Sequence, residues 1–184
     1  MKHLMLDIET LGVKSNSVIT QISCIPFNPN DLNMVVGLYF FQNIDFIDCV
    51  KKFDGFSYDS KTLEWWKTQS NDVKERMILN QQPIEEVLTY FKKFLTWLDD
   101  DYTFWCHIDF DLPILKNAFN AVLKEELPYH FRNRMDIRTI FKLLKFDIKQ
   151  CKEEGLLKHN SFHDCLFQIK CVKKALEGKK YGFE

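Results

Sequence analysis

Apolar and polar residues follow one another along the first 41 positions in patterns typical of β-strands. Residues 3–9 form an apolar segment, residues 18–27 are rich in β-branched and apolar side chains, and residues 34–41 follow a turn-forming Asn-Pro-Asn-Asp sequence. We expect residues 3–9 to form a central strand of the sheet and the three segments to pair as an antiparallel meander. Residues 42–59 are predicted to form a loop.

Helical periodicity dominates the rest of the chain. The strongest pattern begins at Pro83, after which apolar residues recur every three or four positions as far as Leu98. A short aromatic strand is predicted at 102–107 and a polar loop at 147–160. The remaining segments are predicted as helices, at 60–66, 71–79, 111–124, 136–145 and 162–177. This order predicts an α/β fold with a mixed central sheet covered by helices on its faces.

Composition favours one domain spanning residues 1–184, because 46% of the residues are hydrophobic and only six are glycine and five proline. No stretch of eighteen apolar residues and no secretory leader is visible, so we expect a cytoplasmic protein without a membrane partner. Six cysteines lie on or near apolar segments without a C-x-x-C pair. They are typical of buried free thiols.

Charge is distributed unevenly. Residues 1–123 carry 11 Lys and Arg against 17 Asp and Glu, whereas residues 124–184 carry 14 against 9. A basic region beside an acidic cluster suits a polyanion that is drawn toward a metal site. The alternative is a set of solvated lysines on helix surfaces.

Two carboxylates, Asp7 and Glu9, lie one residue apart on the first apolar strand. Residues at i and i+2 of a strand point to the same face, so both side chains project together from a segment that favours burial. Like charges in a core need a compensating cation, and a divalent metal with oxygen ligands is the simplest one. The alternative is a strand end with two solvated acids.

Three more residues qualify as partners of this pair. Asp111 follows Phe110 at a predicted strand-to-helix junction, where an acid is also an ordinary helix N-terminal residue. His159 and Asp164 are spaced as H-x-x-x-x-D across a loop into the last helix, where Ser161 to Asp164 also fits a capping motif. His163 offers a competing imidazole.

Together these fragments, D-x-E, F-D and H-x4-D in this order, resemble the DEDDh group of 3′-5′ exonucleases in the ribonuclease H-like superfamily. The segments at 62–66 (TLEWW) and 136–139 (DIRT) resemble the branch of phage exonuclease A and small bacterial exoribonucleases. The second motif departs from the group's pattern, because His107 stands where Asn is common and Asp109 adds another acid. Asp111 is preferred because Phe110 precedes it and an apolar helix follows.

The resemblance implies a ribonuclease H-like sheet and hydrolysis of phosphodiester bonds with two divalent ions, Mg²⁺ or Mn²⁺. It implies metal coordination by four carboxylates, with Asp7 bridging both ions, Glu9 and Asp164 completing one site and Asp111 serving the other. His159 would be the general base that deprotonates the attacking water.

Four residues are predicted to contact substrate. The resemblance implies that Thr10 and Leu11 contact the terminal nucleotide. Trp65 and Trp66 cannot both face inward on one helix, so we expect one ring to pack in the core and the other to line the substrate cleft, and we place Trp66 among the substrate-binding residues. Arg138 contacts a phosphate in one interpretation and pairs with Asp136 in the other.

The expected activity is 3′-5′ exonuclease cleavage of single-stranded nucleic acid or 3′ overhangs. Whether the strand is DNA or RNA is left open by the sequence, which contains no motif for the 2′-hydroxyl. The alternatives are an oligoribonuclease-like enzyme for short RNA and an inactive nucleic-acid-binding relative. The expected partner is nucleic acid with a free 3′ end, and no dedicated protein partner is evident. The protein is expected to act alone or as a homo-oligomer such as a homodimer.

Overall fold

A five-stranded mixed sheet forms the centre of the fold in the computed structural model, which describes residues 2–31, 37–98, 101–152 and 154–177. The strand order is β3-β2-β1-β4-β5, in which β1 pairs antiparallel with β2, β2 antiparallel with β3, β1 parallel with β4, and β4 parallel with β5. The strands are β1 (Lys2–Thr10), β2 (Ile19–Phe27), β3 (Phe40–Asn43), β4 (Tyr102–Cys106) and β5 (Arg134–Asp136). The predicted mixed sheet with an antiparallel meander and parallel additions is confirmed.

Seven α-helices flank the sheet in the described part of the chain. They are α1 (Phe46–Lys52), α2 (Ser60–Thr68), α3 (Asn71–Ile78), α4 (Ile84–Trp97), α5 (Asp111–Ala118), α6 (Ile137–Leu143) and α7 (Ser161–Leu176). A π-helical turn at Phe119–Leu123 extends α5, and a 3₁₀ turn lies at Ile148–Gln150.

Several predicted boundaries were wrong. The third strand begins at Phe40 rather than residue 34, and residues 34–36 lie outside the described residues. The predicted loop at 42–59 contains α1, which the Asp45 side chain caps by accepting from two backbone N–H groups. The helix α2 is capped by Asp59, and α7 is capped by Asn160 rather than by Ser161 of the predicted capping motif. Each cap residue has an extended backbone and a side chain that reaches into the first turn.

The two faces of the sheet bury different helices. Leu4, Leu6 and Ile8 of β1 pack with α4 and α5 in the larger core cluster, whereas Met5 packs with α6 and α7 in the smaller one. Because strand residues alternate between faces, Asp7 and Glu9 share the face of Met5, which α7 covers. The fold therefore brings the first acidic pair against the last helix.

All six cysteines are buried thiols outside any disulfide, as predicted, and burial raises the pKa of the Cys49 thiol to about 12. Among the described residues, no helix has both the length and the apolar character that a membrane span requires.

Candidate active site

The strand β1 is longer than its neighbour β4, and this difference opens the site. Parallel pairing with β4 ends at Met5, whereas β1 continues to Thr10 with a bulge between Glu9 and Thr10. The backbone N–H of Ile8 therefore lies beyond the register with β4, and it donates to the carboxylate of Asp111 instead. The N-terminus of α5 is thereby joined to the end of β1.

Asp111 is deeply buried, with 1% of its surface exposed. Its carboxylate also accepts a 2.7 Å hydrogen bond from the backbone N–H of His107. Burial raises the pKa of Asp111 to about 8, although the two backbone donors and the Arg138 guanidinium act in the opposite direction. Asp109, the second acid of this motif, is exposed. Of the two acids in this motif, Asp111 is therefore buried and Asp109 is exposed.

Asp7 lies at the centre of the acidic group and is 7% exposed. Burial raises its pKa well above the usual range, and the charges of Asp111, Glu9 and Asp164 raise it further. One neutral group opposes this effect, since the side-chain amide of Gln168 donates a 2.7 Å hydrogen bond to Asp7 Oδ1.

Glu9, His159 and Asp164 form the outer part of the site. One potential ligand atom from each lies within 4.8 Å of the others. Burial is the main cause that raises the pKa of Glu9, followed by the charge of Asp164 and a hydrogen bond to its carboxyl. His159 has a left-handed backbone, with φ of 59°, at the end of the loop that precedes α7.

Buried hydrogen bonds hold the start of α7 against β2. The backbone N–H of Ser161 donates to Gln21 Oε1 at 3.1 Å, and the two hydroxyls of Ser23 and Ser161 lie 2.7 Å apart. The amide of Gln21 in turn donates to Asn43 Oδ1 at 2.7 Å. These contacts position α7 so that Asp164 and, one turn later, Gln168 face β1.

The four carboxylates fit a divalent cation site. Burial raises the pKa values of Asp7, Glu9 and Asp111, and the neighbouring acids raise those of Asp7 and Glu9 further, which means that the protein alone does not compensate their charge. Hard oxygen ligands are the donors that Mg²⁺ and Mn²⁺ prefer. The residue set therefore suits such ions.

An open cleft of about 480 Å³ adjoins the acids. Its lining includes Glu9, Thr10, Phe110, Trp65 and Trp66. Trp66 is only 5% exposed, and its indole N–H donates to the Thr10 carbonyl at 2.9 Å, whereas Trp65 is 41% exposed. The Trp65 ring meets the His159 ring edge-on at 4.6 Å. Trp65, which the sequence analysis did not choose, thus offers the larger free surface.

The other predicted contact residues have varied positions. Leu11 is 7% exposed and belongs to the larger core cluster, outside the lining of the cleft. Arg138 is exposed at the start of α6, and its charge acts on Asp111 and His107. The Asp136 carboxylate caps α6 through Thr139, and no ion pair with Arg138 occurs in the described ranges. Contact of Arg138 with a phosphate therefore stays a prediction.

His163 and His107 lie near the motifs but, unlike His159, are not grouped with Glu9 and Asp164. His163 Nδ1 accepts a 2.7 Å hydrogen bond from the Leu157 backbone, and His163 is not part of the Glu9 group. Burial, with the charge of Arg138, lowers the pKa of His107 to about 4.

Gln168 is the neighbour of the acids that sequence reasoning missed, since a glutamine on an amphipathic helix carries no chemical signal by itself.

Comparison with known proteins gives concordant matches. The sequence model of the 3′-5′ exoribonuclease Rv2179c-like domain matches residues 2–176. An exodeoxyribonuclease of Enterobacteria phage T4 is 27% identical over 96% of this chain and 89% of its own length.

Solved structures of exonuclease I share the fold. The E. coli enzyme in complex with a dA16 oligonucleotide has a TM-score of 0.66 at 15% identity, covering 94% of this chain and 41% of that one. Exonuclease I from Methylocaldum szegediense has a TM-score of 0.67 at 14% identity, covering 96% and 40%. A zinc-bound E. coli exonuclease I–ssDNA complex has a TM-score of 0.57 at 14% identity, covering 94% and 39%. The chain therefore spans about two fifths of the length of these enzymes.

Proposed function

The chain belongs to the 3′-5′ exoribonuclease Rv2179c-like domain family, within the ribonuclease H-like 3′-5′ exonucleases, and we propose that it removes nucleotides from the 3′ end of single-stranded nucleic acid. The observation that carries the proposal is the convergence of Asp7, Glu9, Asp111 and Asp164 from three separate elements beside an open cleft. An inactive relative has no need to keep four mutually repelling acids together, so this grouping supports an enzyme.

The acids act as the holders of two divalent cations. When bound, such a pair activates water and stabilises charge on the leaving 3′ oxygen. Asp7, which is central to the group, would serve both ions, Glu9 and Asp164 would hold one, and Asp111 would hold the other. Gln168 orients Asp7 by occupying Oδ1, which leaves the second carboxylate oxygen available.

His159 acts as the general base. Its ring lies beside Glu9 and Asp164 and takes a proton from the attacking water, for which an imidazole is suited near neutral pH. The edge of the Trp65 ring limits the positions that this imidazole can adopt.

The cleft receives the terminal nucleotide. Thr10 lies on its wall, Trp65 offers an exposed ring for stacking on a base, and Trp66 supports the Thr10 carbonyl from behind. Arg138 contributes positive charge on the Asp111 side, where it faces a phosphate of the strand. Leu11 contributes indirectly: its side chain is buried in the larger core cluster and stabilises the backbone at the neighbouring Thr10.

The test is a time course on DNA and RNA of matched sequence, each labelled at the 5′ end. We expect fragments that shorten progressively from the 3′ end in Mg²⁺ or Mn²⁺, and none in EDTA or with Asp7→Asn. The cleavage rates of the DNA and the RNA show which of the two the protein prefers. This comparison is needed because the family model names an exoribonuclease, whereas the phage relative is an exodeoxyribonuclease. Release of a labelled mononucleotide as the first product would indicate the opposite polarity and contradict the proposal.

A further inference from the structure

A second polar cavity, of about 470 Å³, lies between β3, the end of α3 and the first turn of α7. We call it the Arg76 cavity. Among the residues that the structure describes, it shares no lining residue with the cleft beside the acids. The function derived above uses none of its residues.

Several side chains that line the Arg76 cavity can donate hydrogen bonds. The Arg76 guanidinium and the Asn80 amide have no hydrogen-bond or ion-pair partner in the described part of the chain. Asn160 is 5% exposed; its Oδ1 accepts from the His163 backbone, while its Nδ2 group has no partner among those residues. The Asn160 amide group can therefore donate a hydrogen bond to a ligand in the cavity.

His163 adds a further donor to the cavity. Its Nδ1 accepts a hydrogen bond from the Leu157 N–H at 2.7 Å, so in the neutral ring the proton resides on Nε2. The ring lines the cavity together with Arg76 and Asn160, and no carboxylate is among the described lining residues. Donors without an opposing acid select an anion.

Aromatic rings complete the cavity. Phe162 and Phe41 both line it, with their ring centroids 6.0 Å apart, and Tyr39 lies 4.7 Å from Phe162 on the outside. A flat apolar surface beside a phosphate-binding group is the combination that accommodates a nucleotide, because a base stacks on an aromatic ring without regard to its identity.

We propose that the Arg76 cavity binds a nucleotide, with its phosphate on Arg76, Asn160 and His163 and its base against Phe162. The choice of a nucleotide over another anion rests on the proposed function. Two sources share this chemistry, namely a nucleotide of the bound strand and a free nucleoside monophosphate such as the reaction releases.

The first test measures adenosine 5′-monophosphate binding by calorimetry in EDTA, where no cleavage occurs. The binding should weaken about tenfold or more in Arg76→Ala and in Asn160→Asp. Asp retains the N-cap of α7, so the second variant adds a negative charge to the cavity without removing the cap. Arg132→Ala is the matched control, because Arg132 is exposed, lies against Phe131 outside the cavity and loses the same charge.

Equal affinity of all four proteins for the monophosphate, or no binding by any of them, would overturn the proposal. Inorganic phosphate that binds as tightly as the monophosphate would overturn the nucleotide assignment. A single-stranded oligonucleotide then identifies the source: displacement of the monophosphate indicates a nucleotide of the strand, and simultaneous binding indicates the free nucleotide. Because this assay uses no catalysis, its outcome is independent of whether the exonuclease proposal holds.

Discussion

Removal of the Asp111 charge should stabilise the metal-free protein at alkaline pH. The carboxylate is buried, and burial raises its pKa from 3.8 to about 8, so its charged form opposes folding. Asp111→Asn keeps the size of the side chain and removes the charge. Asp109→Asn, two residues away on an exposed position, is the matched control.

The magnitude follows from the pKa and from the hydrogen bonds. Above pH 8 the rise of the Asp111 pKa from 3.8 to about 8 corresponds to about 6 kcal/mol of lost stability, at roughly 1.4 kcal/mol for each tenfold change in the equilibrium. Asn can accept from only one of the two backbone donors, His107 and Ile8, which costs about 1–3 kcal/mol. The net gain is about 3–5 kcal/mol, or a rise in Tm of about 6–20 °C for a domain of this size.

The sign of the effect depends on pH. Because the folded-state pKa of Asp111 is raised, the destabilisation grows as pH increases from about 4 to 8 and is small at acidic pH. Thermal unfolding in EDTA should therefore show the gain of Asp111→Asn at pH 8 and little or no gain at pH 5. An equal change in Tm at both pH values, or the same gain in Asp109→Asn, would show that the buried Asp111 charge does not cause the effect.

Three other predictions follow from the same geometry. Gln168→Leu should weaken Mn²⁺ binding about 10- to 100-fold in a calorimetric titration, since it frees the Asp7 carboxylate from its orienting partner; unchanged affinity would contradict this role. His159→Ala should lower kcat about 10²- to 10⁴-fold while Mn²⁺ affinity stays the same; a parallel loss of affinity would make His159 a ligand instead. Trp65→Ala should raise KM with little effect on Tm, whereas Trp66→Ala should cost about 3–5 kcal/mol of stability because that ring is buried; the reverse pattern in KM and unfolding assays would exchange their roles.

The acidic pair was predictable from strand geometry alone. Asp7 and Glu9 alternate with buried apolar residues, and the period of two places them on one face wherever the strand lies. The grouping with Asp111, His159 and Asp164 was predicted from the order of motifs, because these residues are more than a hundred positions away along the chain and only the topology brings them near β1.

Other features of the fold and the site could not be predicted, because no local sequence pattern indicates them. The helix α1 has seven residues with one buried position, Cys49, so its sequence shows no helical period. The strand β5 has three residues and depends on pairing with β4. The contact of Gln168 with Asp7 depends on the register of α7 against β1, which tertiary packing determines.

If four particular carboxylates form the catalytic site, replacement of any one of them by its amide should slow turnover, and kcat is the quantity to measure. The set comprises Asp7→Asn, Glu9→Gln, Asp111→Asn and Asp164→Asn, with Asp109→Asn as the control, each assayed on one 5′-labelled strand in Mg²⁺ and in Mn²⁺. We predict a loss of about a hundredfold or more in kcat for all four and wild-type turnover for the control. Wild-type turnover in any of the four, or loss of turnover in Asp109→Asn, would contradict the assignment.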